Sequence, residues 1–153
     1  GYLNDSLKEC SCAPSQIIRY KRKLAGPLLD RIDLHVEVPR LKYEEMAAES
    51  AGESSKIVRN RVSNARGIQL ARFKDEGILT NCEMSVRHIK KYCALDEPTE
   101  KMMKSAVSSM GFSTRTYHRL LKISRTIADL DNCADIKPQH LAEALQYRPR
   151  EEV

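Results

Sequence analysis

Only one stretch of this chain, Ile32 to Val38, alternates apolar and polar residues as a half-buried β-strand does. From Ser54 onward the apolar residues recur instead with the period of an α-helix. An orphan strand leaves an edge that can pair with another copy of the chain. The pattern therefore predicts a mainly α protein, in which one short helix and one strand precede a bundle of about five helices.

Capping residues and helix breakers set the expected bounds of these helices. Ser15 caps a short helix that Gly26 and Pro27 end. A polar, small-residue stretch over residues 43–54 predicts a linker, so we expect two domains, residues 1–42 and 43–153. The five later helices are predicted over residues 54–74, 85–93, 96–111, 113–130 and 138–147. The apolar positions of the first of these include Ile57, Val58, Val62, Ala65, Ile68 and Phe73.

The charge and cysteine content narrow the class of protein. A net charge of +5, from 26 basic and 21 acidic residues, permits an acidic partner such as a nucleotide or DNA without requiring one. Five irregularly spaced cysteines fit reduced thiols, and no apolar run reaches the roughly 20 residues of a membrane span. We therefore expect a cytoplasmic protein with no membrane partner. Two Phe, six Tyr and no Trp argue against a stacking platform for single strands.

The chain lacks the motifs that would grip a nucleotide or hydrolyse a bond. No GxxxxGK[ST] loop can be drawn through its six glycines, and no strand ends in paired carboxylates that could hold a metal ion. No HExxH motif or Ser, His and Asp set is apparent either. The main catalytic machinery of any enzyme built with this chain is therefore expected outside it.

Three separated segments resemble the C-terminal part of magnesium-chelatase-like AAA+ ATPases, specifically the competence protein ComM group. They are GPLLDRIDLHVEVP (26–39), FSTRTYHRLLKISRTIADL (112–130) and HLAEALQYR (140–148). The resemblance implies that residues 1–42 are the last helix and strand of an α/β core and that residues 43–153 form its helical lid. It also implies a P-loop before Gly1, ATP and Mg²⁺ bound in the complete protein, and a ring of copies. This chain alone is expected to be inactive and to hold no cofactor tightly.

The resemblance assigns roles to two arginines. Arg31, in LLDRID, falls on the arginine finger that acts in trans, and Arg115, in STRTY, falls on a phosphate-sensing arginine. The chemistry agrees, because a permanently charged, forked guanidinium suits the charge that grows on a transferring phosphoryl group. From the residues alone, an ion pair of Arg31 with Asp30, Asp33 or a neighbouring loop remains the alternative.

Basic residues line one face of the predicted helix that begins after Ser113. Arg115 lies in its first turn, where backbone N–H groups also favour an anion. For the rest of the face we expect either a solvated surface or contact with DNA. The members of the face are Arg115, His118, Arg119, Lys122 and Arg125.

Cysteine and histidine residues give weaker signals. Cys10 and Cys12 form a CxC, but a structural zinc site needs four ligands. The resemblance implies another CxC before Gly1, so we expect zinc only as a cofactor of the complete protein. His88 and His140 are predicted to be capped or half-buried imidazoles, and Cys82, Cys93 and Cys133 small core or near-surface residues.

The sequence therefore leaves three hypotheses about function. The first is the C-terminal part of an AAA+ ATPase that acts in DNA processing, with other copies of itself, the upstream core of the same chain and DNA as partners. The second is a non-catalytic helical module that binds nucleic acid through its basic excess. The third is a metal-chelatase motor subunit handling a porphyrin, to which no residue of the sequence points.

Overall fold

The computed structural model describes residues 1–3, 5, 7–24, 31–38, 40–41, 43 and 52–148. The chain divides into two compact units, Gly1–Ser50 and Ala51–Val153. Most of the described residues are helical, which confirms the mainly α fold class. No helix in the described ranges has both the length and the apolar character that a membrane crossing requires.

In the first unit, the structure describes the helix α1, which spans Pro14–Leu24. Its first turn is closed by the side chain of Gln16, whose Oε1 accepts a hydrogen bond of 3.1 Å from the backbone N–H of Ala13. Ile17 is half-buried and Ile18 is exposed. None of the described residues of this unit for which a burial is given is fully buried, so α1 packs against no closed core among them.

The strand predicted over Ile32–Val38 is not formed. Residues 32–38 have no regular secondary structure, and their apolar side chains are exposed, Val38 to 86%. His35, on the other side of the alternation, is half-buried instead. A strand needs the backbone of a neighbour to pair with, and the described residues offer none. Residues 25–30 and residues 44–51 of the predicted linker lie outside the described residues.

The second unit contains the five helices that the sequence predicts, each within two residues of its expected bounds. Ser85, Asp96 and Ser113 act as N-caps whose side chains accept a backbone N–H three residues later. Gly111 ends a helix in the left-handed conformation, at φ 59°. The helices are α2 (Ser55–Arg72), α3 (Val86–Tyr92), α4 (Glu97–Met110), α5 (Thr114–Leu130) and α6 (Pro138–Gln146), with a 3₁₀ turn at Asn81–Glu83.

Helix α5 lies at the centre of this unit. It packs against α2, α3, α6 and the 3₁₀ turn, and α4 packs against α6. A single parallel bridge joins Leu95 to Ile136, so the segments before α4 and α6 run side by side. The largest fully buried apolar side chains of the core belong to Phe73, Leu120, Ile136 and Leu141.

Helix α2 packs only along its C-terminal part. Every residue from 55 to 64 is exposed, and Ala65 and Gln69 are its buried positions. Among the apolar positions predicted for this helix, Ile57, Val58 and Val62 are exposed. The helical period was predicted correctly, but the first ten residues extend past the elements that cover the rest.

Candidate functional site

The N-terminus of α5 presents Arg115 to solvent. Ser113 caps the helix, its Oγ accepting a hydrogen bond of 3.2 Å from the backbone N–H of Thr116. Arg115 is the second residue of this 17-residue helix, and it is exposed. The partial positive charge of a helix N-terminus favours an anion there, and a guanidinium adds a full charge. The end of the helix is therefore suited to a phosphate group.

A second guanidinium, that of Arg148, lies beside the same helix end. Its Nη2 donates to Oγ1 of Thr116 at 3.4 Å, and the group lies 5.7 Å from the centre of the Phe112 ring. Arg148 follows the end of α6, so the fold rather than the local sequence brings it to α5. The sequence alone assigns Arg148 no role, and its place at the end of the third resembling segment is the only signal that it offers.

Arg31 lies in the first unit, at the start of the described residues 31–38. Its side chain is exposed, and its backbone is in a short 3₁₀ segment rather than in a strand. Asp30 is outside the described residues, so the ion pair between these two neighbours is not tested. Asp33 is also exposed. The exposed side chain is compatible with a role toward another molecule, and the assignment as a finger stays a prediction.

Cys10 and Cys12 place their sulfur atoms close together beside Gly1. A Cβ atom built on Gly1 would lie 3.2 Å from Sγ of Cys12 and 3.6 Å from Sγ of Cys10. Hydrogen bonds from the backbone N–H groups of Cys12 and Tyr2 lower the pKa of the Cys10 thiol. Among the described residues, no third Cys, His, Asp or Glu joins them in a metal-binding group. The pair would supply two of the four ligands of a tetrahedral zinc site, and zinc in the complete protein stays a prediction.

Asp131, Cys133 and His140 bring their ligand atoms within 4.8 Å of one another. The orientation of His140 argues against a metal ion there. Its Nδ1 accepts the backbone N–H of Lys137 at 3.0 Å, so the proton of the neutral ring is on Nε2, 3.1 Å from Oδ2 of Asp131. Hydrogen bonds from His140 and then Cys133 lower the pKa of Asp131. The three residues form a structural clamp at the start of α6.

His88 makes the same two contacts at the start of α3. Its Nδ1 accepts the backbone N–H of Ser85 at 3.1 Å, and its Nε2 lies 3.3 Å from Oε2 of Glu76. Hydrogen bonds from Lys91 and then Tyr92 lower the pKa of Glu76 to about 2. The prediction of capped or half-buried imidazoles is confirmed: both rings accept a backbone N–H at a helix start, His88 is half-buried and His140 is fully buried.

The remaining cysteines are structural. Cys93 is in the core, and burial raises the pKa of its thiol to about 11, so the sulfur stays protonated and unreactive. Cys82 is exposed, and Cys133 is half-buried in the clamp. These positions confirm the sequence prediction.

Arg125 corrects the predicted solvated face of α5. It is only 2% exposed. Its Nε donates to Oδ1 of Asp129 at 3.1 Å, and its Nη atoms donate to the backbone oxygens of Cys133 and Ala134 at 2.6 and 2.7 Å. Lys122 is half-buried, and its Nζ donates to the backbone oxygen of Cys82 at 2.8 Å. The C-terminal half of this face therefore holds the fold together.

Asp129 is the centre of the buried polar network. Its side chain is fully buried, and both of its carboxylate oxygens accept hydrogen bonds from Arg72 of α2. The amide of Asn81 donates to the same carboxylate at 2.8 Å, and its oxygen accepts from Arg72 at 3.1 Å. The network thus ties α2 and the 3₁₀ turn to α5. This network could not be predicted from the sequence, because the motif SRTIADL does not indicate which of its charged residues are buried.

Two family descriptions match this chain and together cover most of it. Residues 52–148 match the family described as magnesium chelatase, subunit ChlI C-terminal. Residues 1–46 match the family described as magnesium chelatase, subunit ChlI. The junction between the two matches falls near the division into compact units at residue 50.

Curated bacterial relatives match across nearly the whole chain. The competence protein ComM of Haemophilus influenzae is 41% identical over 137 residues, which is 89% of this chain and 26% of that protein. The uncharacterized protein YifB of Salmonella typhimurium is 39% identical over 138 residues, which is 90% of this chain and 26% of that protein. The chain thus spans about a quarter of the length of these relatives.

Proposed function

The chain belongs to the magnesium chelatase family of the ChlI type, and from this premise we propose that it supplies two phosphate-contacting arginines to an AAA+ ATPase. In the complete protein, Arg31 acts as an arginine finger toward the nucleotide of a neighbouring copy, and Arg115 contacts phosphate from the lid. The proposal includes ATP and Mg²⁺ as ligands and a ring of copies as the working assembly.

The observation that carries the proposal is the exposed Arg115 at a capped helix N-terminus. The matched family region, residues 52–148, contains this helix end. Its first turn offers backbone dipoles and a full positive charge in one place, and Arg148 adds a second guanidinium beside it. Such a group of donors fits a triphosphate better than it fits a neutral ligand.

Arg31 supports the proposal through its chemistry and exposure. Negative charge grows on the transferred phosphoryl group during hydrolysis, and a guanidinium from a neighbouring copy stabilises that charge. In other nucleotide hydrolases this contribution accelerates turnover by about 10³- to 10⁵-fold. The chain has no P-loop in its 153 residues, so it cannot hold the triphosphate by itself.

The test of Arg31 uses the full-length protein. Arg31→Ala should reduce ATP turnover by about 10³-fold or more, because the transition-state charge loses its partner, while nucleotide affinity changes little. Mixing this variant with a full-length variant that lacks the P-loop lysine should restore part of the turnover, since some pockets would combine an intact P-loop with an intact finger. Normal turnover in Arg31→Ala would exclude the finger, and a mixture with no recovery would exclude action in trans.

A role in DNA processing is the wider part of the proposal. It is supported by the relative named a competence protein and by the basic excess of the chain. The chelation of a metal into a porphyrin has only the family's name in its favour. A non-catalytic module that binds nucleic acid is favoured by one structural feature, the exposed part of α2.

A further inference from the structure

We propose that the outward side of α2 is a binding surface for the phosphate backbone of duplex DNA. We call this surface the basic face of α2 and define it by residues at spacings of three and four, which share one side of a helix. Its members are Lys56, Arg59, Asn60, Ser63 and Arg66, and all five are exposed. Lys56, Asn60 and Ser63 lie opposite Ala65 and Gln69, the two positions that α2 buries. Arg59 and Arg66 lie at the edges of the face. The inference rests on the DNA-processing part of the proposed function and is independent of Arg31 and Arg115.

The charge on α2 is of one sign. Its 18 residues include five Lys or Arg and no Asp or Glu. Two of the five are engaged elsewhere: Arg72 in the buried network with Asp129, and Arg61 with Glu53 at 2.7 Å. Among the described residues, Lys56, Arg59 and Arg66 are in no ion pair within 4 Å. They therefore project an uncompensated field into solvent.

Glu83 is a carboxylate on which one of these cations, Arg66, has an electrostatic effect. Hydrogen bonds from Thr80 and Leu79 lower its pKa, and the charge of Arg66 contributes to the same shift at longer range. Glu83 is itself held by those hydrogen bonds, Thr80 donating at 2.7 Å and Leu79 at 3.2 Å. It is thus fixed at the end of the 3₁₀ turn, and it forms no ion pair with the two cations nearer the N-terminus of α2.

The dimensions of the face suit a nucleic acid. Ten residues separate Lys56 from Arg66, so the face is about 15 Å long at 1.5 Å per residue. One strand of duplex DNA presents four to five phosphates over about that length. Asn60 and Ser63 lie between the cations and can donate further hydrogen bonds to phosphate oxygens. The exposed residues 55–64 leave this part of the helix accessible from outside the bundle.

Duplex DNA is favoured over a single strand by what α2 lacks. Proteins that hold single strands stack their bases on aromatic side chains, and the sequence of α2 has no Phe, Tyr or Trp. Contacts to phosphates from flexible Lys and Arg side chains need no unstacked base. The binding should therefore be insensitive to sequence and strongly dependent on salt.

The experiment titrates the 153-residue chain into a fluorescent mixed-sequence duplex and into one of its strands, at about 50 and about 200 mM salt. The variant K56Q/R59Q/R66Q should bind the duplex more weakly. The slope of log K against log salt should fall by about 2.7, since each phosphate contact contributes about 0.9. The matched control is R87Q/K90Q/K137Q, which removes the same charge from exposed positions outside α2.

The control variant should keep the salt slope of the original chain, and thermal melts should show that both variants are folded. An equal loss of affinity in both variants would overturn the inference, because net charge rather than this face would then drive binding. Tighter binding to the single strand, or no binding to the duplex at low salt, would also overturn it. Neither result affects the ATP turnover test of Arg31, so the two proposals fail separately.

Discussion

The two ends of α5 carry the same residue type in opposite environments. Arg115, in the first turn, is exposed, whereas Arg125, ten residues later, is 2% exposed and donates to three oxygen acceptors. The spacing of three and four places both on one predicted face. The C-terminal half of that face is covered by Arg72 of α2, the 3₁₀ turn and the segment before α6. What surrounds a helix therefore decides what its charges do.

This difference separates stability from function along one helix. A guanidinium held by a carboxylate and two carbonyl groups cannot leave them to bind a ligand without a large loss of free energy. A guanidinium exposed at a helix N-terminus contributes little to folding and can bind a phosphate. We expect substitutions at the buried end to unfold the second unit and substitutions at the exposed end to change only ligand chemistry.

The largest effect is expected at the centre of the buried network. Asp129→Ala leaves Arg72 and Arg125 covered without their carboxylate, which should reduce the free energy of unfolding by about 3–5 kcal/mol. Urea unfolding followed by circular dichroism measures this change. Asp135→Ala, which removes an exposed carboxylate, is the matched control and should stay within about 0.5 kcal/mol. Equal stabilities of the two variants would show that the network does not hold the bundle.

An intermediate effect on stability is expected when Arg125 keeps its positive charge but loses its forked guanidinium group. Arg125→Lys keeps a cation beside Asp129 but cannot also reach the backbone oxygens of Cys133 and Ala134. The loss should be about 1–3 kcal/mol in the same unfolding experiment, the cost of buried carbonyl groups without a donor. Arg115→Lys is the corresponding variant at the exposed end, and it should leave the free energy of unfolding unchanged. A neutral Arg125→Lys would mean that charge alone matters at the buried end.

The smallest effect on stability is expected at Arg115. Arg115→Ala should change the free energy of unfolding by less than about 0.5 kcal/mol. The full-length variant should nevertheless lose about 10- to 100-fold in kcat/KM for ATP hydrolysis. A loss of this size corresponds to the removal of one charge-assisted hydrogen bond. Arg87→Ala is a close control, because Arg87 is also exposed and is also the second residue of a helix capped by serine. Similar turnover in the two variants would remove the sensor assignment.

Much of the second unit could be predicted from its sequence. Helices were expected to begin at Ser85, within residues 96–99 and at Ser113, and the structure has N-caps at Ser85, Asp96 and Ser113. One helix was expected to end at Gly111, and it does. Pro138 lies at the start of α6, as predicted. These signals depend on contacts within four residues, so the local sequence contains everything that determines them. The resemblance identified a family that the comparisons confirm.

The candidate site was predictable only in part. Arg115 was expected at an exposed first turn, and the structure places it there. Arg148 could not be assigned, because it reaches Thr116 across 32 positions of sequence. The basic face of α2 was missed for a related reason. The apolar residues Ile57, Val58 and Val62 suggested a helix buried along its length, and the structure leaves them exposed.

The sequence by itself determined where the helices of the second unit begin and end, and to which family the chain belongs. Helix caps, helix breakers and family motifs each consist of residues that are close together in sequence. The tertiary structure decided which charges are buried, which part of α2 is exposed and that Arg148 lies beside the start of α5. Burial is a property of what packs over a residue, and those neighbours come from distant parts of the chain. Residues 32–38 also show this dependence on distant neighbours. Their alternation is that of a strand, but the described residues supply no neighbouring backbone to pair with it.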